Sequence, residues 1–142
     1  MKLFVNLFCR DIAAQLAFYG QLLDLPEATH SRSPIYRAIE TPGFQFGFHA
    51  RAAYGLLGLD ERQPAEFAGA PVTAYATFML ATPAAVDEAA GRVGALGGRV
   101  IRPPYPTYYR EWQAVLADPE DHVFRVSCAA LPPGAVPPPV PA

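Results

Sequence analysis

Lysine is nearly missing: of eleven Lys and Arg residues in 142, only Lys2 is a lysine. No stretch gathers the arginines, and acidic residues outnumber the cations, 13 to 11. A nucleic-acid footprint needs a basic stripe, so that class of partner is excluded. Cysteine is scarce too. Cys9 and Cys128 form neither a disulfide framework nor a zinc spacing. Both sit in apolar runs, where a reduced, buried thiol is expected. No apolar run approaches the roughly 20 residues of a membrane span. The opening MKLFVNLFCRD lacks the apolar core and small-residue cleavage site of a signal peptide. A cytoplasmic protein with no membrane partner is the expectation. No nucleophile elbow, Walker loop or GxGxxG occurs. Charged residues are 17% and hydrophobic ones 51%, which excludes a disordered charged tail. The length suits one domain, or two small halves sharing a core.

The chain compares most usefully with itself. Leu3 to Cys9 is an apolar run rich in strand formers. Asp11 follows as a helix cap, and IAAQLAFYGQLL carries Ile12, Leu16, Tyr19 and Leu23 at helical spacing. Gly20 weakens that helix and Pro26 stops it. The second half repeats the order. Val72 to Leu80 is a β-like run, Thr82 is the cap and Pro83 suits the first helical position. AAVDEAAGRVGAL places Val86, Ala90, Val93 and Leu96 on one face, and Gly97 and Gly98 end it. Phe4 and Tyr75 stand equally far before their caps.

SPIYRAIE and GFQFGFHA alternate and are separated by Thr41, Pro42 and Gly43, which reads as a hairpin. In the second half, GRVIRPP and EWQAVLADPEDHVFRVSC flank a turn at Asp118 to Asp121, with Pro119 at a favoured turn position. Each half therefore reads as βαβββ, with Gly55 to Leu59 either strand or loop. The expected organisation is a first module over residues 1–59, a linker over 60–71, a second module over 72–129 and a Pro-rich tail over 130–142. The tail should be extended or disordered and lie outside the core.

These residues carry a resemblance. FVNLFCRDIAAQLAFYGQLLDLPE is similar to the opening of vicinal oxygen chelate proteins, with Phe18-Tyr19 at the helix end. VDEAAGRVGALGGRVIRPPY and AVLADPEDHVFRVS resemble that superfamily's second helix end and the turn before its last strand. The superfamily holds glyoxalases, bleomycin-type resistance proteins, fosfomycin-modifying enzymes and extradiol dioxygenases. The resemblance implies an α+β fold of two tandem βαβββ modules, their mixed sheets curled around a cleft. It also implies a homodimer and, in the enzymes, a divalent metal held by first and last strands.

Carried over residue by residue, the metal positions fall on Phe4, Tyr75, Arg125 and the neighbourhood of Gly47. Phenylalanine has no lone pair, and a guanidinium repels a cation. Gln45 and His49 flank Gly47 on one strand face by period two. Phe44, Phe46 and Phe48 then share the other face, against the helix. His30 and His122 read as loop and turn residues. The expectation is no metal and no catalytic residue, with ligand-binding candidates Phe4, Asn6, Gln45, His49, Tyr75, Thr77, Tyr108, Tyr109, Trp112 and Arg125. Rings beside Asn, Gln, His and Arg suit a small aromatic molecule. Two alternatives stay open. One is a metal-dependent glyoxalase-like or dioxygenase-type enzyme with unusual ligands; the other is a structural dimer with a vestigial cleft.

Overall fold

A computed structural model describes every residue, Met1–Ala142. The chain forms two compact units, Met1–Ala70 and Pro71–Ala142. No helix is long and apolar enough to cross a membrane.

In the first unit, β1 (Leu3–Cys9) leads into α1 (Ile12–Leu23). Asp11 caps that helix, its carboxylate accepting from the amides of Ala13 and Ala14 at 3.1 and 2.9 Å. The helix ends before Pro26 acts. Asp24 turns left-handed at φ 53°, and the Leu25 amide donates back to the Gly20 carbonyl. β2 (Tyr36–Glu40) and β3 (Phe44–Ala50) form the expected hairpin, with Thr41 Oγ1 accepting from the amides of Gly43 and Phe44. β1 pairs parallel with β3, so the sheet order is β1-β3-β2.

One face of this sheet packs on α1. Phe46 and Phe48 are buried there, both in ring contact with the fully buried Tyr19. Those positions behave as their alternation predicts. The uncertain stretch after β3 is neither strand nor loop throughout. Ala53–Leu56 is a short helix, α2, and Gly58 at φ 67° turns the chain out of it. The physical reason is tertiary. Tyr54 is buried with its ring stacked on Phe8 at 3.7 Å, a contact that a short apolar run does not advertise.

The second unit has four strands. β4 (Ala76–Met79) is followed by α3 (Pro83–Arg92), capped by Thr82 Oγ1 on the Ala85 amide at 3.1 Å. The strand is shorter than the apolar run, because only Ala76–Met79 finds a partner strand. Gly97 takes φ 100°, and the Gly98 amide closes on the Val93 carbonyl. β5 (Arg99–Pro106), β6 (Trp112–Ala117) and β7 (Val123–Cys128) complete the sheet in the order β4-β7-β6-β5, with β4 parallel to β7. Asp118 organises the turn between β6 and β7. Its carboxylate accepts from the amides of Glu120 and His122 and contacts the His122 ring. His122 is thus a turn residue. Ala114, Leu116, Phe124 and Val126 are buried on the side where α3 packs. The tail beyond Cys128 forms no helix or strand.

Candidate functional site

Each sheet has one face on its helix and one turned away, and the second kind carries the candidate strand residues other than Trp112. In the first unit the register aligns Phe4, Asn6 and Phe8 with Gln45, Gly47 and His49, and these with Glu40, Ala38 and Tyr36. Phe4 is 53% exposed. Gln45 is buried and donates to Ser31 Oγ at 2.8 Å, so it is committed to its own unit.

The middle of this face is filled by a residue that the sequence did not single out. The Tyr36 hydroxyl donates to Asn6 Oδ1 at 2.9 Å, and its ring lies directly over Gly47. A Cβ on residue 47 would collide with that ring and with Asn6. Glycine is needed here for close approach, not for its backbone freedom. Burial, and then the carboxylate of Glu40, push the Tyr36 phenol above its ordinary pKa, so it remains a donor at neutral pH. His49 lies between Phe8, at 5.7 Å between ring centroids, and Tyr36, at 4.7 Å. Its Nδ1 is buried without a hydrogen-bond partner. Burial lowers its pKa, so the imidazole is neutral at pH 7. Tyr36 was detectable in principle, since hairpin register places it opposite His49.

The second unit gathers its candidates more tightly. Arg125 on β7 pairs with Thr77 on β4 and Val115 on β6. Its Nε donates to Thr77 Oγ1 at 2.9 Å and its Nη1 to the Tyr109 hydroxyl at 3.1 Å. The guanidinium carbon stands 4.8 Å from the centre of the Tyr75 ring. Tyr109 in turn donates to Gln113 Oε1 at 2.8 Å, and Gln113 Nε2 donates to the Tyr105 hydroxyl. Arg102 covers the Tyr105 ring at 3.4 Å. A continuous polar line therefore runs across the sheet, from Thr77 through Arg125, Tyr109 and Gln113 to Tyr105, and Arg125 and Arg102 are each set against a ring.

The β5–β6 connection builds this line. Thr107 closes a tight turn by accepting from the Glu111 amide at 2.8 Å, with Arg110 left-handed at φ 68°. That turn projects Tyr109 back over β7. Tyr108 packs edge-on against it at 4.9 Å and is 46% exposed. Glu111 accepts from Ser127 Oγ at 2.6 Å, so its carboxylate is engaged. Tyr109, Arg110 and Glu111 also line an open groove with Ala129, Ala130 and Leu131.

Tyr75, Thr77, Tyr109 and Arg125 are thus together, with Tyr108 beside them. Trp112 is not. It pairs with Cys128, one residue out of phase with Arg125, and its indole N–H donates to Asp87 of α3 at 2.7 Å. The correction is one of strand phase: the aromatic-rich segment straddles a turn, and its members leave on different faces. Gln113, Tyr105 and Arg102 were missed as members of the line. Gln113 had a signal, since period two from Trp112 puts it on the opposite face.

No group of three or more His, Cys, Asp or Glu side chains is placed to hold a metal ion. The positions that the resemblance assigns to ligands carry a phenyl, a phenol, a guanidinium and, at Gly47, no side chain. This donor set does not fit a divalent cation. What the second-unit face can do is stack a flat molecule and offer it N–H and O–H donors.

A glyoxalase-like domain model matches residues 2–127. Among solved structures, a glyoxalase/bleomycin resistance protein/dioxygenase family enzyme from Burkholderia phytofirmans PsJN is 38% identical. The match covers 89% of this chain and 96% of that one, with a TM-score of 0.78. A lactoylglutathione lyase from Agrobacterium tumefaciens and the fosfomycin resistance protein FosX from Mesorhizobium loti are each 17% identical, and each match covers 92% of both chains. Their TM-scores are 0.63 and 0.62, and at that identity the likeness is one of fold. No curated protein matches.

Proposed function

The chain belongs to the glyoxalase-like domain family, and from that premise we propose that it binds a small aromatic or antibiotic-like molecule without a metal ion. The observation that carries this reading is the Arg125 side chain. At the strand position where the family's metal enzymes place a carboxylate, this chain has a permanent cation, fixed by Thr77 and Tyr109 and set on Tyr75. A fixed cation there opposes a second one. The same atoms suit an organic guest: rings give stacking worth about 1 kcal/mol each beyond area burial, and the polar line orients it. Protection through sequestration, in a cytoplasmic homodimer, is the role this chemistry supports. No bond is made or broken.

Isothermal titration with aromatic antibiotics, before and after EDTA treatment, tests the proposal. Binding that survives EDTA is expected. Binding or turnover that appears only with added nickel, zinc or iron refutes it.

One observation favours a metal-dependent lyase instead: His49 Nδ1 is buried and unpartnered, as a nitrogen awaiting a ligand would be. Metal analysis of the purified protein, with an assay on methylglyoxal–glutathione hemithioacetal, separates the two. A stoichiometric metal with turnover selects the enzyme.

A further inference from the structure

Several arginines of this protein are answered by carboxylates. Arg32 and Arg37 share Glu27, Arg99 meets Asp121, and Arg92 reaches Glu88. Arg125 is different. It is partly buried, and its hydrogen-bond partners are two neutral oxygens, those of Thr77 and Tyr109. No carboxylate lies within ion-pair distance of it. Glu111, on the neighbouring turn, is held by Ser127. Arg102, at the other end of the polar line, likewise meets a ring and no acid.

A guanidinium has five N–H donors in a planar fork, and Arg125 spends two of them on the protein. Those two bonds and the Tyr75 ring fix its plane, so little side-chain freedom is lost when a partner arrives. The remaining donors and the full positive charge are left to something outside the chain. A partly buried cation without a counter-ion is costly, and an arriving anion relieves that cost. The exposed Tyr75 ring lies next to it, 53% accessible.

We infer that the Arg125 cluster is a carboxylate subsite, and that the molecule taken up is an aromatic acid: its carboxylate pairs with the free edge of Arg125 while its ring lies beside Tyr75. This rests on the proposed binding role and narrows its ligand class. A carboxylate accepts two parallel N–H bonds from one guanidinium, which a neutral amide cannot do. Thr77 and Tyr109 act as positioning residues, holding the fork in its plane.

The test uses the full chain and two probes of equal shape, 2-naphthoate and 2-naphthamide, with cyclohexanecarboxylate as the non-aromatic acid. Binding is read by calorimetry, and the Arg125 Nε–H signal is followed by ¹H–¹⁵N NMR. The expected result is that naphthoate binds at least about tenfold more tightly than naphthamide. It should also shift the Arg125 signal and weaken as salt is raised. In Arg125→Gln the acid should lose its advantage over the amide, the ratio of the two affinities falling to about one. Thr77→Val, which leaves the charge in place, should reduce the preference several-fold without removing it.

Equal affinity for acid and amide overturns the carboxylate subsite and leaves the aromatic binding role standing. Equal affinity for naphthoate and cyclohexanecarboxylate overturns the aromatic acid as the ligand. Failure of all three to bind overturns both the subsite and the binding role it rests on. The wild-type acid–amide comparison needs no variant, so it stands even if Arg125→Gln does not fold.

Discussion

Replacing Gly47 by Ala is the sharpest test of how the first unit is packed. The new Cβ would sit inside van der Waals contact with the Tyr36 hydroxyl, a ring carbon of Tyr36 and Asn6 Oδ1. Gly47 is on β3 between β1 and β2, so its backbone cannot retreat without shifting both neighbours. The Tyr36 ring must therefore swing away. That loses the Tyr36–Asn6 hydrogen bond, worth about 1 kcal/mol. It also loses ring contact with His49, about 0.5–1.5 kcal/mol. The expected destabilisation is about 2 kcal/mol, within the range for overpacked sites. At this chain length that is a fall in Tm of several degrees. Differential scanning calorimetry measures it, and a double-mutant cycle with Tyr36→Ala assigns it. With the phenol gone only Asn6 Oδ1, the end of a side chain freed of its Tyr36 bond, still meets the new Cβ, and Gly47→Ala should cost less than about 1 kcal/mol. A cost of about 2 kcal/mol in both backgrounds would refute the argument, because the strain would then lie outside the Tyr36 side chain.

Three further outcomes follow from single contacts. Asp11→Ala and Thr82→Ala each remove the side-chain acceptor of a helix cap and should each cost about 1 kcal/mol by chemical denaturation. Hydrogen bonds from Arg32, and then Arg37, hold the Glu27 carboxyl down at about 2, against 4.5 unperturbed. The unfolded chain therefore takes up that proton first. Stability from this group is present above pH 4.5 and is lost as pH falls toward 2. The Tm gap between wild type and Glu27→Gln should hold steady above pH 5 and close below it; a gap that widens in acid would contradict the linkage. Trp112→Phe should lose about 1 kcal/mol with the bond to Asp87, yet leave affinity for an Arg125-dependent ligand within about twofold, read by the same calorimetry.

Alternation alone placed Phe46 and Phe48 on the helix and Gln45 and His49 on the opposite face, because strand phase is a local property of the backbone. The caps at Asp11 and Thr82 and the left-handed Gly97 were equally legible, since each satisfies a helix end within a few residues. The tandem arrangement and the arginine at residue 125 also followed from the sequence. Partnerships between distant residues did not. Nothing local says that the Tyr36 ring covers Gly47, that Tyr54 stacks on Phe8 and makes a helical turn of a doubtful strand, or that Gln113 links Tyr109 to Tyr105. The phase of Trp112 was set by where the turn at Thr107 hands the chain to β6. Chain chemistry supplied the cation, the rings and the missing donors. Only the folding of β4, β7 and the β5–β6 turn against one another decided that Thr77 and Tyr109 orient Arg125, because contact across tens of residues is fixed by sheet register and not by spacing along the chain.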